Sequence, residues 1–195
     1  MAKIPTIRRR DAAATRAAIL EAAHQRFLRE NYDSVGLRDI AGDAGVDAAL
    51  ISRYFGGKEG LFRETVLHQK EGGAPFQDAK SAAELPAVLA QVVLEDADED
   101  RMRRMEMFII MLRSASSPRA GAIIRDLVQQ QVLEPLTALI DDEHGEMRAH
   151  MMLAILMGIS VLRTIMKVDR FNADDAEADV CAESFRHLFE TALKG

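Results

Sequence analysis

The chain has 195 residues, a length that suits one large or two small domains with a sizeable buried core. Hydrophobic residues make up 48% and charged residues 29%, Trp is absent and helix-forming residue types are frequent, so the composition favours an all-α protein over one built from strands. The single cysteine, Cys181, excludes an intrachain disulfide framework, and the basic N-terminus is not followed by an apolar stretch typical of a secretory signal, so a cytoplasmic protein is expected.

Charge is distributed unevenly along the chain, whose formal net charge is −6. Residues 1–70 hold 12 Lys and Arg against 9 Asp and Glu, whereas residues 71–195 hold 13 against 22. A basic front joined to an acidic remainder is typical of a nucleic-acid-binding head on a body that does not bind nucleic acid, although many proteins without a DNA partner share this asymmetry.

A flexible basic arm is expected at residues 1–10, followed by a head of short helices at residues 11–70. Apolar residues recur at helical spacing between Ile19 and Leu28, which predicts the first of these helices. The predicted helices of the head cover residues 11–30, 37–44, 48–54 and 58 to about 69.

A helical body is predicted at residues 71–195, after a hinge at the segment 71–75, which contains glycine and proline. Pro135 should kink or break one of its helices. The longest strongly apolar segment, residues 151–162, is too short to span a bilayer, so it is predicted to be a buried core helix and no membrane partner is expected. The predicted helices of the body lie near 82–96, 99–115, 119–141, 145–167 and 174–193.

Residues 37–55 carry the most informative pattern, which predicts a helix, a three-residue turn and a second helix. Gly45 allows the sharp turn because glycine tolerates left-handed backbone, and Asp47 is a good N-cap for the second helix. Two helices joined in this way form a helix-turn-helix, which places its second helix in the major groove of DNA. The apolar positions that would pack the two helices together are Ile40, Ala41, Val46, Ile51 and Phe55.

Here the sequence resembles the TetR (tetracycline-repressor) family of bacterial transcription regulators. The resemblance covers about residues 12–67 and implies an all-α fold, with an N-terminal three-helix helix-turn-helix domain followed by a helical ligand-binding and dimerisation domain. It also implies a homodimeric regulator that binds pseudo-palindromic operator DNA, and the first interpretation is a repressor that is released by a small molecule. The sequence contains no catalytic motif, so an enzyme is not expected. The residues that match the family pattern in order and spacing are Ile40-Ala41, Ala44-Gly45-Val46, Asp47, Tyr54-Phe55 and Lys58-Glu59-Gly60-Leu61-Phe62, together with residues 19–23 and Phe27 in the first helix.

The head departs from the family pattern at three positions. Many members carry Ser or Thr in place of Asp47 and Tyr in place of Ser52, and most carry His in place of Tyr54. A carboxylate at the start of the recognition helix is a good cap but repels phosphate, and the loss of an aromatic ring at Ser52 removes one phosphate contact, which Arg53 could replace.

Side chains able to contact DNA cluster on and around the second helix of the motif. Arg53 can make a bidentate contact to guanine or a contact to phosphate, and the two alanines that open the helix can touch a thymine methyl group. Lys58 opens the fourth helix, where a cation and a helix N-terminus together attract phosphate. Any of these charges could instead be solvated, and Tyr54 could simply pack against Phe55. The predicted DNA-binding residues are Arg16, Arg38, Ala48, Ala49, Ser52, Arg53, Tyr54 and Lys58, with Arg8, Arg9 and Arg10 of the arm as further candidates for neutralising the DNA backbone.

The last two helices of the body each carry an apolar stripe with small residues. One stripe per helix is ordinary core, but two such helices at the end of the chain favour a four-helix dimer interface. A dimer also has a functional reason, since two recognition helices must reach major grooves about 34 Å apart. The stripes are Met147, Met151, Ala154, Gly158, Val161 and Ile165 in one helix, and Ala178, Cys181, Phe185, Leu188, Phe189 and Ala192 in the other.

Methionine is abundant in the body, where its flexible thioether suits an adaptable apolar pocket, although gap-filling core is the alternative. Arg104 and Arg113 share that neighbourhood and could bind an acidic ligand or pair with nearby acids. The predicted effector site, for a small apolar or amphipathic molecule, comprises Met105, Phe108, Met111, Met151 and Ile155.

No metal, cofactor or catalytic site is predicted. The five histidines lack metal-ligand spacing, the acidic run at residues 95–100 lacks the glycine of a calcium loop, and no glycine-rich phosphate loop occurs. Cys181 is expected to be buried and inert, with a redox sensor as the alternative. Two further interpretations stay open: a ligand-independent DNA binder or activator, and a helical protein-interaction module with a vestigial head, which the unusual Asp47 and Ser52 would support.

Overall fold

The computed structural model describes residues 6–68, 74, 76–94, 99–168 and 175–194. Within these ranges the secondary structure is helical and no strand occurs, which confirms the all-α prediction. Residues 1–5, most of the predicted hinge at 71–75 and residues 95–98 of the acidic run lie outside the described residues.

The chain divides into two compact units. The first comprises residues 1–71 and 103–125, and the second comprises residues 72–102 and 126–195. The sixth helix therefore begins in the second unit and continues in the first, so the first unit holds more than the N-terminal head. The helices are α1 (Thr6–Arg29), α2 (Leu37–Asp43), α3 (Ala48–Phe55), α4 (Lys58–His68), α5 (Leu85–Leu94), α6 (Glu99–Ser114), α7 (Pro118–Val128), α8 (Glu134–Ile140), α9 (Gly145–Ser160) and α10 (Asp175–Lys194).

Helix α1 begins at Thr6, five residues before the predicted start at Asp11. Nothing between the two positions breaks a helix, and the three arginines there are good helix formers, so the helix extends into the segment that was expected to be a flexible arm. The side chains of Arg8, Arg9 and Arg10 are outside the described part of the structure.

The first unit is built around three aromatic rings that pack against one another. The ring of Phe62 meets those of Phe27 and Tyr32 edge-on, with centroids 5.0 Å and 5.1 Å away, and the Phe27 and Tyr32 rings lie nearly parallel at 6.1 Å. All three side chains are buried, and Ile40 and Ile51 add α2 and α3 to the same unit's interior. Edge-on and offset rings of this kind add about 0.5–1.5 kcal/mol per pair beyond the area they bury.

The second unit has its own core, in which α5, α9 and α10 contact one another and α8 packs on α9. Leu85, Leu89, Met152 and Phe189 are almost completely buried there. The stripe predicted on the last helix is part of this core: Phe185, Phe189 and Ala192 are buried in their own chain, so the prediction that they form a dimer surface is wrong. An apolar stripe shows that a side of a helix is covered, but not by which neighbour.

Pro135 interrupts the long helical stretch without ending it. Proline has no N–H to donate to the carbonyl four residues earlier. The chain accommodates this with a π-helical turn over residues 129–133, in which the Glu134 N–H bonds to the Gln129 carbonyl five residues back, and Pro135 then occupies the first turn of α8. The prediction that Pro135 breaks the regular helix is confirmed.

Helix α9 is apolar on more than one side. Ala149, Met152, Leu156 and Ile159 are buried in the core. By contrast, Met147 and Met151 on another side are 68% and 44% exposed. The prediction of a buried core helix therefore holds for one side of α9 only, and the exposed side has no covering element among the described residues.

The apolar stretch around α9 is also longer than the sequence predicted. Residues 145–163 have a mean hydropathy of 1.3 over a length sufficient to cross a membrane, with 17% of the stretch buried. One such helix is weak evidence for a membrane span, since the core helices of soluble proteins pass the same test of length and composition.

Candidate nucleic-acid interface

A tight turn joins α2 to α3. The Ala44 N–H donates to the Ile40 carbonyl and the Val46 N–H to the Ala41 carbonyl, both at 2.9 Å, which closes the end of α2. Gly45 between them has a φ of 65°, in the left-handed region that glycine adopts without strain. The turn predicted from Gly45 is therefore observed, and it sets the direction in which α3 leaves α2.

Both ends of α3 are closed by residues outside the helix. The carboxylate of Asp47 accepts a hydrogen bond from the Ala49 N–H at 2.7 Å, as an N-cap should. At the other end Gly56 has a φ of 75° and its N–H bonds to the Ser52 carbonyl at 3.0 Å, and Gly57 follows with a φ of 124°. A helix of eight residues, which has few hydrogen bonds of its own, is thus defined at both ends by its caps.

Helix α3 has one buried and one exposed face. Ile51 and Phe55 are buried in the first unit. Ala49, Ser52 and Arg53, three and four residues apart, are exposed. Neither the Ser52 hydroxyl nor the Arg53 guanidinium has a hydrogen-bond or ion-pair partner among the described residues. The exposed face therefore presents small and polar groups with free hydrogen-bonding capacity.

Two predicted contact residues, Tyr54 near the end of α3 and Lys58 at the start of α4, are partly withdrawn from solvent. Tyr54 is half-buried, with its ring centroid 6.4 Å from that of Phe55. The ammonium of Lys58 lies 4.4 Å above the ring of Tyr32, an attractive cation–π arrangement. Burial there lowers the pKa of Lys58 below its usual value, although the nearby carboxylate of Asp33 acts in the opposite direction.

The two predicted arginines outside α3 differ in their surroundings. Arg38, in the first turn of α2, is exposed and has no partner among the described residues. Arg16, on α1, bonds to the carboxylate of Glu64 on α4, and its guanidinium carbon lies 5.1 Å from the centroid of the Phe55 ring. The structure therefore leaves Arg38 free for a ligand but engages Arg16 within the protein.

Sequence reasoning missed several links that hold α1 in place. Arg26 makes a two-pronged contact to the Asp43 carboxylate at the end of α2, with distances of 2.5 Å and 2.9 Å. These hydrogen bonds raise the pKa of Arg26 and lower that of Asp43. The buried His24 has its Nε2 atom 2.8 Å from a carboxylate oxygen of Glu106 on α6. Residues 17 and 82 positions apart give no local pattern that could reveal such pairs.

The turn between α6 and α7 is attached to the loop after α1. The Ser114 hydroxyl accepts from the Tyr32 N–H at 3.2 Å, the Arg113 guanidinium donates to the Arg29 carbonyl at 3.0 Å, and the Ser117 hydroxyl donates to Asp33 at 3.0 Å. Arg113, predicted to bind an acidic ligand or to pair with acids, thus contacts a backbone carbonyl. The end of α6 and the turn that follows it are thus hydrogen-bonded to the loop after α1.

Comparison with known protein families identifies the family of this chain. Residues 83–186, more than half of the chain, match the family model described as "Tetracyclin repressor-like, C-terminal domain", and residues 19–65 match "Bacterial regulatory proteins, tetR family". The chain belongs to the TetR family. It is a helix-turn-helix transcription regulator that binds DNA and is not an enzyme.

Over 45 residues this TetR-family regulator is 56% identical to the HTH-type transcriptional regulatory protein RaaS of Mycobacterium tuberculosis, a match that covers 23% of the chain and 21% of that relative. Solved structures similar in fold cover most of both chains. Salmonella enterica GusR has a TM-score of 0.70 at 19% identity, covering 93% of this chain and 96% of its own. NalD of Pseudomonas aeruginosa, a secondary repressor of the MexAB-OprM multidrug efflux pump, has a TM-score of 0.63 at 21% identity over 88% and 94%. A putative regulator from Saccharomonospora viridis in complex with choline has a TM-score of 0.57 at 18% identity over 90% and 95%.

The predicted effector-site residues of this TetR-family regulator lie in both units. Met105, Phe108 and Met111 are half-buried side chains on the part of α6 that belongs to the first unit. On α9, in the second unit, Ile155 is half-buried against the core, whereas Met151 is exposed. Met151 was also predicted as part of the α9 stripe, and its exposure fits that assignment. The described residues contain no group of three or more His, Cys, Asp and Glu side chains that could hold a metal ion.

Proposed function

We propose that this TetR-family regulator is a homodimeric repressor that binds a pseudo-palindromic operator and is released by a small apolar or amphipathic effector. The observation that carries the proposal is the exposed face of α3, where Arg53 has hydrogen-bonding capacity and no partner within the described residues. A guanidinium in that position can bond to both acceptors on the major-groove edge of guanine, whereas alanine side chains at the start of the helix suit a thymine methyl group.

The remaining contacts are expected to set position rather than sequence. Phosphate contacts fix the register of the protein on the duplex, and they come from hydroxyls, cations and helix N-termini. Ser52 on the exposed face of α3, Tyr54 near the end of α3 and Arg38 in the first turn of α2 have the chemistry for this role. Lys58 would first have to leave its site above the Tyr32 ring, at the cost of the cation–π contact.

The dimer is proposed to form through the exposed side of α9. Met147, Met151, Ala154 and Gly158 are all exposed and recur at helical spacing. Small residues among them allow two helices to approach closely, and contiguous apolar surface on a soluble protein marks an interaction site. Of the last helix only Val180 and Leu188 are large apolar residues that stay exposed among its described side chains, so α10 contributes a narrower strip than the sequence predicted.

The effector is proposed to act through α6. Its half-buried Met105, Phe108 and Met111 offer adaptable apolar surface, and the same helix is bonded to the head through His24 and the Arg29 carbonyl. A ligand that favours one position of α6 over another would shift the head with it, and coupling of about 1–3 kcal/mol changes operator affinity 5- to 150-fold. A relative of similar fold holds choline, which supports a small-molecule site in this architecture.

DNA binding is tested by mobility shift on the DNA upstream of the protein's own coding region, at two salt concentrations. We expect tight binding that weakens steeply with salt. Arg53→Ala should lower the affinity for the operator by at least about tenfold, because a bidentate base contact contributes about 1–3 kcal/mol. Arg125→Ala, which removes an exposed arginine of α7, is the matched control and should bind like wild type. Equal losses in both variants would contradict a specific role for α3. If the upstream DNA is not bound, the operator is sought by selection from random-sequence DNA. Failure of that selection as well would contradict the proposed DNA-binding function.

Dimerisation is tested by sedimentation velocity across a range of concentrations. Ala154→Glu places a charge in the middle of the proposed interface and should convert the dimer to monomer, whereas Ala138→Glu on an exposed position of α8 should not. A dimer that survives Ala154→Glu would show that another surface holds the protomers together.

The effector site and the sign of regulation need separate tests. Apolar and amphipathic cations and neutral molecules can be screened for release of the operator, and Met105→Trp should weaken the response to any compound that is found, because the larger side chain fills the site. An unchanged response would exclude α6 as the binding surface. A reporter gene behind the operator then separates repression from activation, since the sign depends on where the operator lies relative to the promoter.

A further inference from the structure

Arg16 contacts side chains of two helices other than its own. It lies on α1, bonds to Glu64 on α4 and stacks over Phe55, the last residue of α3. Its side chain and that of Glu64 are 40% and 35% exposed, so the pair is partly screened from water, and the Phe55 ring beneath it is buried. One guanidinium on α1 thus contacts both α3 and α4.

Few side chains of α3 are buried. The helix has eight residues, and Ile51 and Phe55 are its two buried side chains. Gly56 and Gly57 follow, and their backbone conformations give the chain a sharp bend but bury no side chain. The direction of α3 at this end therefore depends on where Phe55 sits, and the Arg16–Glu64 pair covers that ring from the solvent side.

We propose that Arg16 and Glu64 form a clamp that positions the recognition helix, and that Arg16 acts through Phe55 rather than by contacting DNA. This proposal rests on the proposed role of α3 in base recognition. The charge of Arg16 is matched by Glu64 and its planar face lies against the Phe55 ring, so the guanidinium is already held within the protein. The clamp would be a specificity device, because tilting α3 by a small angle moves Arg53 away from the base edges that it reads.

The two roles give opposite signatures in DNA binding. If Arg16 contacts a phosphate, its removal from both heads of the dimer weakens binding to operator and non-specific DNA alike. The slope of log K against log salt then falls by about 1.8, which is about 0.9 for each lost contact. A lost positioning residue leaves the phosphate contacts in place, so affinity for non-specific DNA and the salt slope stay the same while the preference for the operator falls.

The test compares Arg16→Met and Glu64→Gln with wild type, on operator and on non-specific DNA of equal length, by fluorescence anisotropy at four salt concentrations. Active protein is counted by stoichiometric titration, so that partial unfolding does not imitate weaker binding. We expect both variants to lose about tenfold in the ratio of operator to non-specific affinity, with an unchanged salt slope. Arg125→Met is the matched control.

Two results would overturn the clamp. One is a salt slope reduced by about 1.8 with equal losses of affinity on both DNAs. The other is tighter operator binding by Glu64→Gln, which would mean that the carboxylate merely competes with DNA for Arg16. If Arg16→Met does not fold, Arg16→Lys keeps the charge but loses the planar contact, and should show the same loss of preference in weaker form.

The Arg53→Ala variant separates failure of the clamp from failure of the proposed function. If Arg53→Ala binds the operator as wild type does, α3 is not the recognition helix and the premise fails. If Arg53→Ala is defective while Arg16→Met keeps full operator preference, the premise stands and the clamp is wrong.

Discussion

Asp47 has two effects that act in opposite directions, and a single substitution can separate them. Its carboxylate caps α3 through the 2.7 Å hydrogen bond from the Ala49 N–H, and it also places a negative charge at the end of the helix that faces DNA. Asp47→Asn keeps an acceptor oxygen in nearly the same place and removes the charge. We therefore expect this variant to bind operator DNA more tightly than wild type.

The size of the gain in operator affinity follows from the exposure of Asp47. Because the side chain is exposed, its charge acts through a water-like dielectric. At about 7 Å from a phosphate the repulsion is roughly 0.6 kcal/mol, or about threefold in affinity for one head and about tenfold for the two heads of a dimer. The loss of the favourable charge at the helix N-terminus should lower the free energy of unfolding by about 0.3–1 kcal/mol. Asp47→Asn should thus raise the affinity for the operator and lower the free energy of unfolding.

The assay is fluorescence anisotropy with operator DNA at low and moderate salt, beside urea unfolding of the same preparations. Asp47→Ala is the control: it also removes the charge but leaves the Ala49 N–H without its cap, which should cost about 1 kcal/mol of stability. Weaker operator binding by Asp47→Asn, together with a changed base preference, would refute the repulsion argument, because it would mean that the carboxylate accepts a hydrogen bond from a base.

Three further predictions concern the interior and the backbone of the first unit. The buried Tyr32 hydroxyl has no hydrogen-bond partner among the described residues. Tyr32→Phe should therefore leave the free energy of unfolding unchanged or raise it by up to about 1 kcal/mol. A decrease of more than about 1 kcal/mol in urea unfolding would contradict this. Burial raises the pKa of Tyr32, so this residue's contribution to stability should be lost as the pH rises above about 10, and the Phe variant should lack that part of the alkaline decline. Gly57 has a φ of 124°, where other residues are strained, so Gly57→Ala should lower the free energy of unfolding by about 1–3 kcal/mol in the same assay, and an unchanged midpoint would show that the turn can relax.

Features set by neighbours in sequence were predictable. Asp47 as the N-cap of α3, Gly45 in the turn and Pro135 as an interruption each follow from the conformations that single residues allow, and the structure contains all three. The boundaries of α2 to α6 and of α10 also agree with the sequence pattern to within a few residues, because caps and apolar periodicity are local signals. The helix predicted over 119–141 is divided into α7 and α8, and α9 ends at Ser160 and continues as a π-helical turn to Ile165.

Features set by neighbours in space were not predictable. Spacing shows that α9 and α10 have apolar stripes, but which stripe meets the chain's own core depends on which helices pack beside it, and α5 covers that of α10. For the same reason nothing in the sequence joined His24 to Glu106 or Arg16 to Glu64. The predicted effector residues and DNA contacts therefore remain predictions to be tested by the experiments above.

The exposed side of α9 has a consequence for how the regulator responds to its own abundance. If an operator requires two heads and protomers pair through this surface, then below the dissociation constant of the dimer the concentration of competent regulator rises with the square of the protomer concentration. A doubling of gene dosage would then give about four times as much dimer. Substitutions on α9 that tune this affinity, such as changes at Met151, would shift the protomer concentration at which the operator fills, and would do so without altering a single contact to DNA.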